Sequence, residues 1–182
     1  MQQDEQALVR RAQEHQQDAF AELYERYFDK IYRYCVMKIG SRPEAEDMAQ
    51  QVFIKAANSI SSFKWRNVPF SAWLYRIAHN QMVDYLRKKS RQQSVPLDEA
   101  VAVSDSNPQK ATELKMDIEE MIKATRGLTD AQREVISLRF AGELPIARVA
   151  EIMGKSQGAV KALQHSAIVA LRKTMIGVAD NG

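Results

Sequence analysis

Five side chains between Trp73 and Arg87 have the types and spacing to hold a single strand of nucleic acid. Trp73, Arg76, Asn80, Asp84 and Arg87 follow one another at steps of three and four, which places them on one face of a helix. A face that mixes an aromatic ring, an amide and cations differs from an apolar core stripe and from a plainly solvated surface. Bases stack on rings of this kind beside positive charge. The wider segment 63–91 repeats the mixture, with Phe63, Trp65, Phe70, Tyr75 and Tyr85 interleaved with Lys64, Arg66, Lys88, Lys89 and Arg91. The competing reading is that Trp73 packs inward and the cations are simply solvated; these residues alone favour neither.

A second polar row lies near the C-terminus. In PIARVAEIMGKSQGAVKALQHSAIVALRK, Ala150, Gly154 and Val160 stand at relative offsets of zero, four and ten. Two helices joined by a tight turn need a small residue at their crossing, a glycine at positive φ, and a branched apolar anchor on the second helix. Ile146, Val149, Ile152, Leu163 and Ala167 supply the rest of that core, and Ser156 is placed to cap the second helix. That helix then presents Gln157, Lys161, Gln164, His165 and Arg172 outward. Amide and cationic side chains near a helix N-terminus suit base edges and phosphates in a major groove. An ordinary helical hairpin is the plainer reading, but spacing and polar decoration together favour DNA binding.

The elements that position these rows read as helices nearly throughout. Phe20, Leu23, Tyr24, Tyr27, Phe28, Ile31, Tyr34 and Cys35 form one wide apolar stripe, which Gly40 ends. Ser41 and Glu44 fit a capping box, with Pro43 in the first turn. The helix they open buries Met48, Ala49, Val52, Phe53 and Ala56, leaving Glu46, Asp47, Gln50 and Gln51 on other faces. Pro69 forbids a continuous helix through SSFKWRNVPF. A third long helix is predicted over 71–89, with Leu74, Ile77, Ala78, Gln81 and Tyr85 on its inner face. Residues 91–107 are aperiodic and contain Pro, Ser, Asp and Asn, the composition of a linker. Asn107 and Pro108 open a further helix with Leu114, Ile118, Met121 and Ile122 on its apolar side, and three more follow over 130–140, 145–153 and 156–176. The expected fold class is all-α. Two small helical domains, 1–90 and 108–182, are joined by a flexible linker at 91–107, and the C-terminal domain contains the helix-turn-helix.

Composition narrows the function class. The 182 residues, 45% hydrophobic and 27% charged, suit a globular chain rather than a disordered one. The net charge of +3 is unevenly spread: 63–91 hold seven Lys or Arg against one acid, 92–125 three against seven, and 126–182 eight against five. Two basic zones either side of an acidic stretch suggest two contacts with a polyanion. MQQDEQALVRRAQEHQQ has no apolar core of the signal-peptide type, and no run approaches the ~18 apolar residues of a membrane span, so a cytoplasmic protein is expected. The single cysteine, Cys35, excludes an internal disulfide and a cysteine zinc cluster, and reads as a core residue. His15, His79 and His165 lie far apart, with no Gly-rich phosphate loop and no paired ligand spacing. No enzyme, metal or cofactor is expected from such a pattern. His79 reads as a helix-face residue.

DMAQQVFIKAANSISSF and PFSAWLYRIAHNQMVDYLRKKSR resemble region two of the extracytoplasmic-function sigma factors of the sigma-70 family. LTDAQREVISLRFAGELPIARVAEIMGKSQGAVKALQHSAIVALRK resembles their region four. With the first long helix, the similarity covers residues 5–91 and 117–176. AWLYRIAHN followed by DYLRK, and AQREVISLRF followed by the helix-turn-helix, are specific in combination. The resemblance implies a factor that binds core RNA polymerase, directs promoter recognition, DNA melting and transcription initiation, and catalyses nothing itself. It implies that the helix carrying Asp47, Met48, Gln50, Gln51 and Phe53 grips the polymerase's largest subunit. Lys64, Trp65, Arg66 and Asn67 would receive a flipped base of the minus-ten element, beside a strand held along Trp73, Arg76, Asn80 and Arg87. Ser156, Gln157, Lys161, Ala162, Gln164 and His165 would lie at the minus-thirty-five element. An anti-sigma factor is a further implied partner. Three positions depart from the family pattern: Gln51 stands in place of the usual glutamate, KWRNVP lacks the common Arg-Gly-acidic-Ser loop, and Pro145 replaces the usual Ser or Thr cap. A conventional helix-turn-helix regulator, acting on duplex operators without polymerase, is the alternative reading.

Overall fold

The computed structural model describes residues 2–66, 68–93 and 118–179. Among them every regular element is helical. The first four are α1 (Gln2–Gln13), α2 (Gln17–Ile39), α3 (Arg42–Ser59) and, after a short 3-10 turn at Ile60–Ser62, α4 (Phe70–Gln92). The remainder are α5 (118–125), α6 (Asp130–Ile136, continued by a π-turn at Ser137–Ala141), α7 (Ile146–Met153) and α8 (Gln157–Ala179). Of the expected linker, Arg91 and Gln92 are the end of α4 and Gln93 follows it; 94–107 lie outside the described residues, as do Asn67, Pro108 and Leu114.

The stripe predicted on α2 is its buried face: Leu23, Ile31, Tyr34 and Cys35 are fully enclosed, and the half-buried Phe20, Tyr24, Tyr27 and Phe28 pack beside them. Helix α3 seats Phe53 against this stripe, its ring centroid 4.8 Å from Tyr24 and 6.0 Å from Phe28. The capping box expected at Ser41 and Glu44 does not form. Ser41 occupies the cap position without a side-chain bond. Glu44 instead reaches α4, where its carboxylate accepts from the Tyr85 hydroxyl and from Lys89 Nζ, the latter at 2.9 Å. A charged acceptor gains more from a phenol and an ammonium than from a backbone amide, and the Tyr85 hydroxyl, with Lys89, holds the Glu44 carboxyl below its ordinary value. A capping box does occur where none was foreseen: Gln132 N donates to Thr129 Oγ1 at 3.3 Å, and Thr129 N to Gln132 Oε1 at 3.0 Å, which fixes the start of α6.

The two halves of the chain share an interior. Tyr34, Leu74, Tyr75 and Met82 from the first half lie in one apolar cluster with Val135, Leu138, Leu144 and Val149 from the second. Met37 of α2 packs with Leu128, Ile136 and Ala167. At the seam sits Glu134 of α6, only 4% exposed. Its carboxylate accepts from Tyr34 Oη at 2.8 Å and meets Lys38 Nζ at 2.6 Å and His79 Nδ1 at 2.9 Å. A carboxylate can only accept, so Nδ1 carries the proton in this contact. Burial pushes the Glu134 carboxyl up, but His79 and Lys38 outweigh it and hold the group below its ordinary value.

Candidate nucleic-acid and polymerase interfaces

The frame for the C-terminal polar row is the α7–α8 pair. Val149, Ala150 and Ile152 of α7 are buried in one cluster with Val160 of α8, and the half-buried Leu163 packs against it, whereas Ala167, expected in the same core, is buried with Met37, Leu128 and Ile136 instead. Gly154 makes the turn at φ 62°, ψ 35°, a conformation that costs a residue with Cβ and is open to glycine. Ala159 N donates to Ser156 Oγ at 3.1 Å, the predicted cap of α8. Pro145 precedes α7 with no side-chain cap, and the helix forms regardless. On this frame Ser156, Gln157, Lys161, Ala162 and His165 are all exposed. Gln164 is different. It is half-buried, and its Oε1 accepts from Arg139 Nε at 2.8 Å while Arg139 also donates to the Leu144 carbonyl at 2.6 Å. Arg139 thus ties the π-turn to the recognition helix and holds Gln164 inward. Sequence reasoning passed over Arg139; its signal was a cation inside the apolar run ISLRF.

In the aromatic, basic segment the rings divide into two groups. Phe63 and Phe70 are buried, and Trp73 packs on both, with centroids at 5.1 and 5.5 Å. Tyr75 is fully enclosed. Trp73 is therefore largely a structural ring, half-exposed at the edge of the face it was expected to lead. Trp65 is also half-buried and stands edge-on to Phe63 at 5.7 Å, between the exposed Lys64 and Arg66. Gln13 Nε2 pins the base of this loop by donating to the carbonyls of Ile60, at 3.0 Å, and Phe63, at 2.7 Å. Along α4, Arg76, Asn80, Asp84 and Arg87 are exposed in the predicted row. Asp84 lies 3.9 Å from Arg87 at the surface, too loose and too wet a pair to neutralise the row.

The third group lies on α3. Asp47, Gln50 and Gln51 are exposed, whereas Met48 and Phe53 turn into the core, at 9% and 3% exposure, and support the helix from beneath. Ile54, overlooked in the sequence, is 54% exposed. It follows Asp47, Gln50 and Gln51 at helical spacing and completes an outward face of one acid, two amides and one aliphatic side chain. Its position out of phase with the stripe Ala45, Met48, Ala49, Val52, Phe53 and Ala56 was the available signal. Gln81 Nε2 of α4 donates to the Gln51 carbonyl at 3.3 Å, linking this face to the helix that carries Arg76 and Asn80.

The profile of Sigma-70 region 2 matches residues 23–92, and that of Sigma-70, region 4 matches residues 126–173. The extracytoplasmic-function RNA polymerase sigma factor SigW of Bacillus subtilis is 35% identical over 92% of this chain and 94% of its own length. The chain belongs to the extracytoplasmic-function sigma factors of the sigma-70 family. A second such sigma factor, BldN of Streptomyces coelicolor, is 32% identical over 92% of this chain, which spans 64% of the length of BldN. Two solved structures share the fold. CnrH, in complex with the cytosolic domain of CnrY, has a TM-score of 0.68 at 22% identity, covering 94% of this chain and 96% of its own. The sigma factor RpoE of Bartonella quintana, in complex with the anti-sigma factor NepR, has a TM-score of 0.70 at 24% identity, covering 86% and 96%. Within this sigma factor, α4 and the helix-turn-helix fall in regions 2 and 4 respectively. No described helix is long and apolar enough to cross a membrane.

Proposed function

We propose that this sigma factor binds core RNA polymerase and directs it to promoters, opening the minus-ten element through residues 1–90 and reading the minus-thirty-five element through residues 108–182. It acts in the cytoplasm and has no catalytic step of its own. In this reading Asp47, Gln50, Gln51 and Ile54 form the polymerase contact. Lys64, Trp65, Arg66, Arg76, Asn80 and Arg87 hold the displaced strand, and Gln157, Lys161 and His165 face the duplex. The complex of RpoE with the anti-sigma factor NepR supports an anti-sigma factor as a further partner.

The observation that carries this reading is the α3 face. Its acid would be repelled by phosphates, so its partner is a protein, and a regulator that bound operators by itself would have no use for it. A pull-down of core polymerase tests this directly. Asp47→Lys should weaken the complex and Ile54→Ala should weaken it further in combination, while both variants keep wild-type helicity. An intact complex with both changes would place the contact elsewhere. Tight, sequence-specific operator binding by the free protein, unaffected by polymerase, would support the regulator reading instead.

A further inference from the structure

The seam between the two halves is built from polar bonds that exist only while the halves touch. Glu134 gathers three of them, from Tyr34 and Lys38 on α2 and from His79 on α4. Tyr75 of α4 donates its hydroxyl to the Ala141 carbonyl at 3.1 Å. Gly142 lies so close that a Cβ there would stand 3.1 Å from the Tyr75 ring and 2.6 Å from the Leu138 carbonyl. At the rim, Lys30 meets Glu143 at 3.3 Å and Arg42 meets Glu119 at 3.2 Å. Lys38 continues the buried stripe of Ile31, Tyr34 and Cys35 at helical spacing. A lysine is costly in such a place without a fixed counter-charge, and Glu134 provides it from the other half of the chain.

The size of this closed body conflicts with a promoter. The described residues, ~150 packed as one body, have a radius of gyration of about 15 Å, so that body is about 40 Å across. Elements about twenty-five base pairs apart, at 3.4 Å per pair, are separated by about 85 Å. With α4 and α8 locked into one body, the two DNA faces cannot reach both elements together. Resting on the function proposed above, we propose that the Glu134 cluster is an interdomain latch: it holds the sigma factor in a closed, promoter-incompetent form, and engagement of polymerase must break it. The chemistry suits a reversible latch. A buried ion pair sets its Coulomb attraction against its own desolvation, so closure is specific in geometry while the separated charges regain water on opening.

The test uses the full chain and a charge exchange. Solution scattering should give a compact wild type and an increase in radius of a third or more for Lys38→Glu and for Glu134→Lys, each checked for helicity. The double exchange, Lys38→Glu with Glu134→Lys, should return the compact radius. If either single reversal loses helicity, Tyr75→Phe combined with Lys30→Glu loosens the same seam without a buried charge and should expand the chain partially. Folded single variants that stay as compact as wild type would overturn the latch. Competition for core polymerase supplies the second arm: opened variants should bind about tenfold tighter than wild type, and the double exchange should revert. Opened variants that bind no tighter would overturn the inhibitory role. Failure of every form to bind polymerase would instead refute the functional reading, and the scattering result would still decide whether the latch exists.

Discussion

The recognition helix α8 and the segment leading into α4 make opposite use of their side chains. On α8 the anchors are aliphatic, Val160 and Ala167 buried with Leu163 beside them, and the exposed row of Gln157, Lys161 and His165 carries no aromatic carbocycle. From 63 to 73 the anchors are themselves aromatic: Phe63, Phe70 and Trp73 pack on one another, and Trp65 stands at their margin. A sequence rich in rings and cations therefore overstates the number of rings free to stack on bases. The charged and amide residues of both regions were the better guide to what faces solvent, since charged side chains are seldom buried unless paired.

The largest effect that could break this contrast is at Trp73. If the ring is structural, Trp73→Ala should lower the stability of the protein by about 3 kcal/mol, as large-to-small changes at packed rings do, measured by urea unfolding. A loss well below 1 kcal/mol would return Trp73 to the nucleic-acid face. Trp65→Ala should act on function instead. Losing a base–ring stack costs about 1–3 kcal/mol, enough to reduce permanganate reactivity at the minus-ten element about tenfold while closed-complex formation is kept. Asn80→Ala should show the same separation, and normal opening in both variants would move the melting site elsewhere.

On the duplex side the expected effects are more local. Lys161→Ala should cost about 1–3 kcal/mol at a single minus-thirty-five position, read from a panel of promoter variants across salt concentrations. An identical response of both holoenzymes with an unchanged salt slope would remove Lys161 from the interface. The smallest effect concerns Gln164. Because its amide oxygen is engaged by Arg139, Gln164→Ala should cost about 1 kcal/mol of stability and leave the ranking of promoter variants unaltered. A changed ranking would show that Gln164 reads bases despite that bond.

Much of this arrangement was legible along the chain because it is local. The stripe from Phe20 to Cys35, the stop at Gly40 and the offsets of Ala150, Gly154 and Val160 all express helical period and turn geometry, which neighbours in sequence determine. What escaped depends on segments far apart in the chain. Glu44 looked like a cap because Ser41 is three residues away; Tyr85 and Lys89, which win it, are more than forty residues distant. His79 read as an ordinary helix-face residue, and nothing near it announces Glu134, fifty-five positions on. Met48 and Phe53 read as buried from helical period and as polymerase contacts from the resemblance, and they are buried, with Asp47 and Gln50 on the outer face.

The central claim, that this chain is the promoter-reading subunit of an RNA polymerase, is tested most directly by transcription itself. Purified protein would be added to core polymerase on genomic DNA and the start sites mapped, with the wild type, Asn80→Ala and Lys161→Ala compared. The account predicts a defined set of starts that depends on the added protein and shares paired upstream elements. Asn80→Ala should lose initiation at all of them, and Lys161→Ala should lose it in proportion to one minus-thirty-five position. Starts identical with and without the wild-type protein would contradict it.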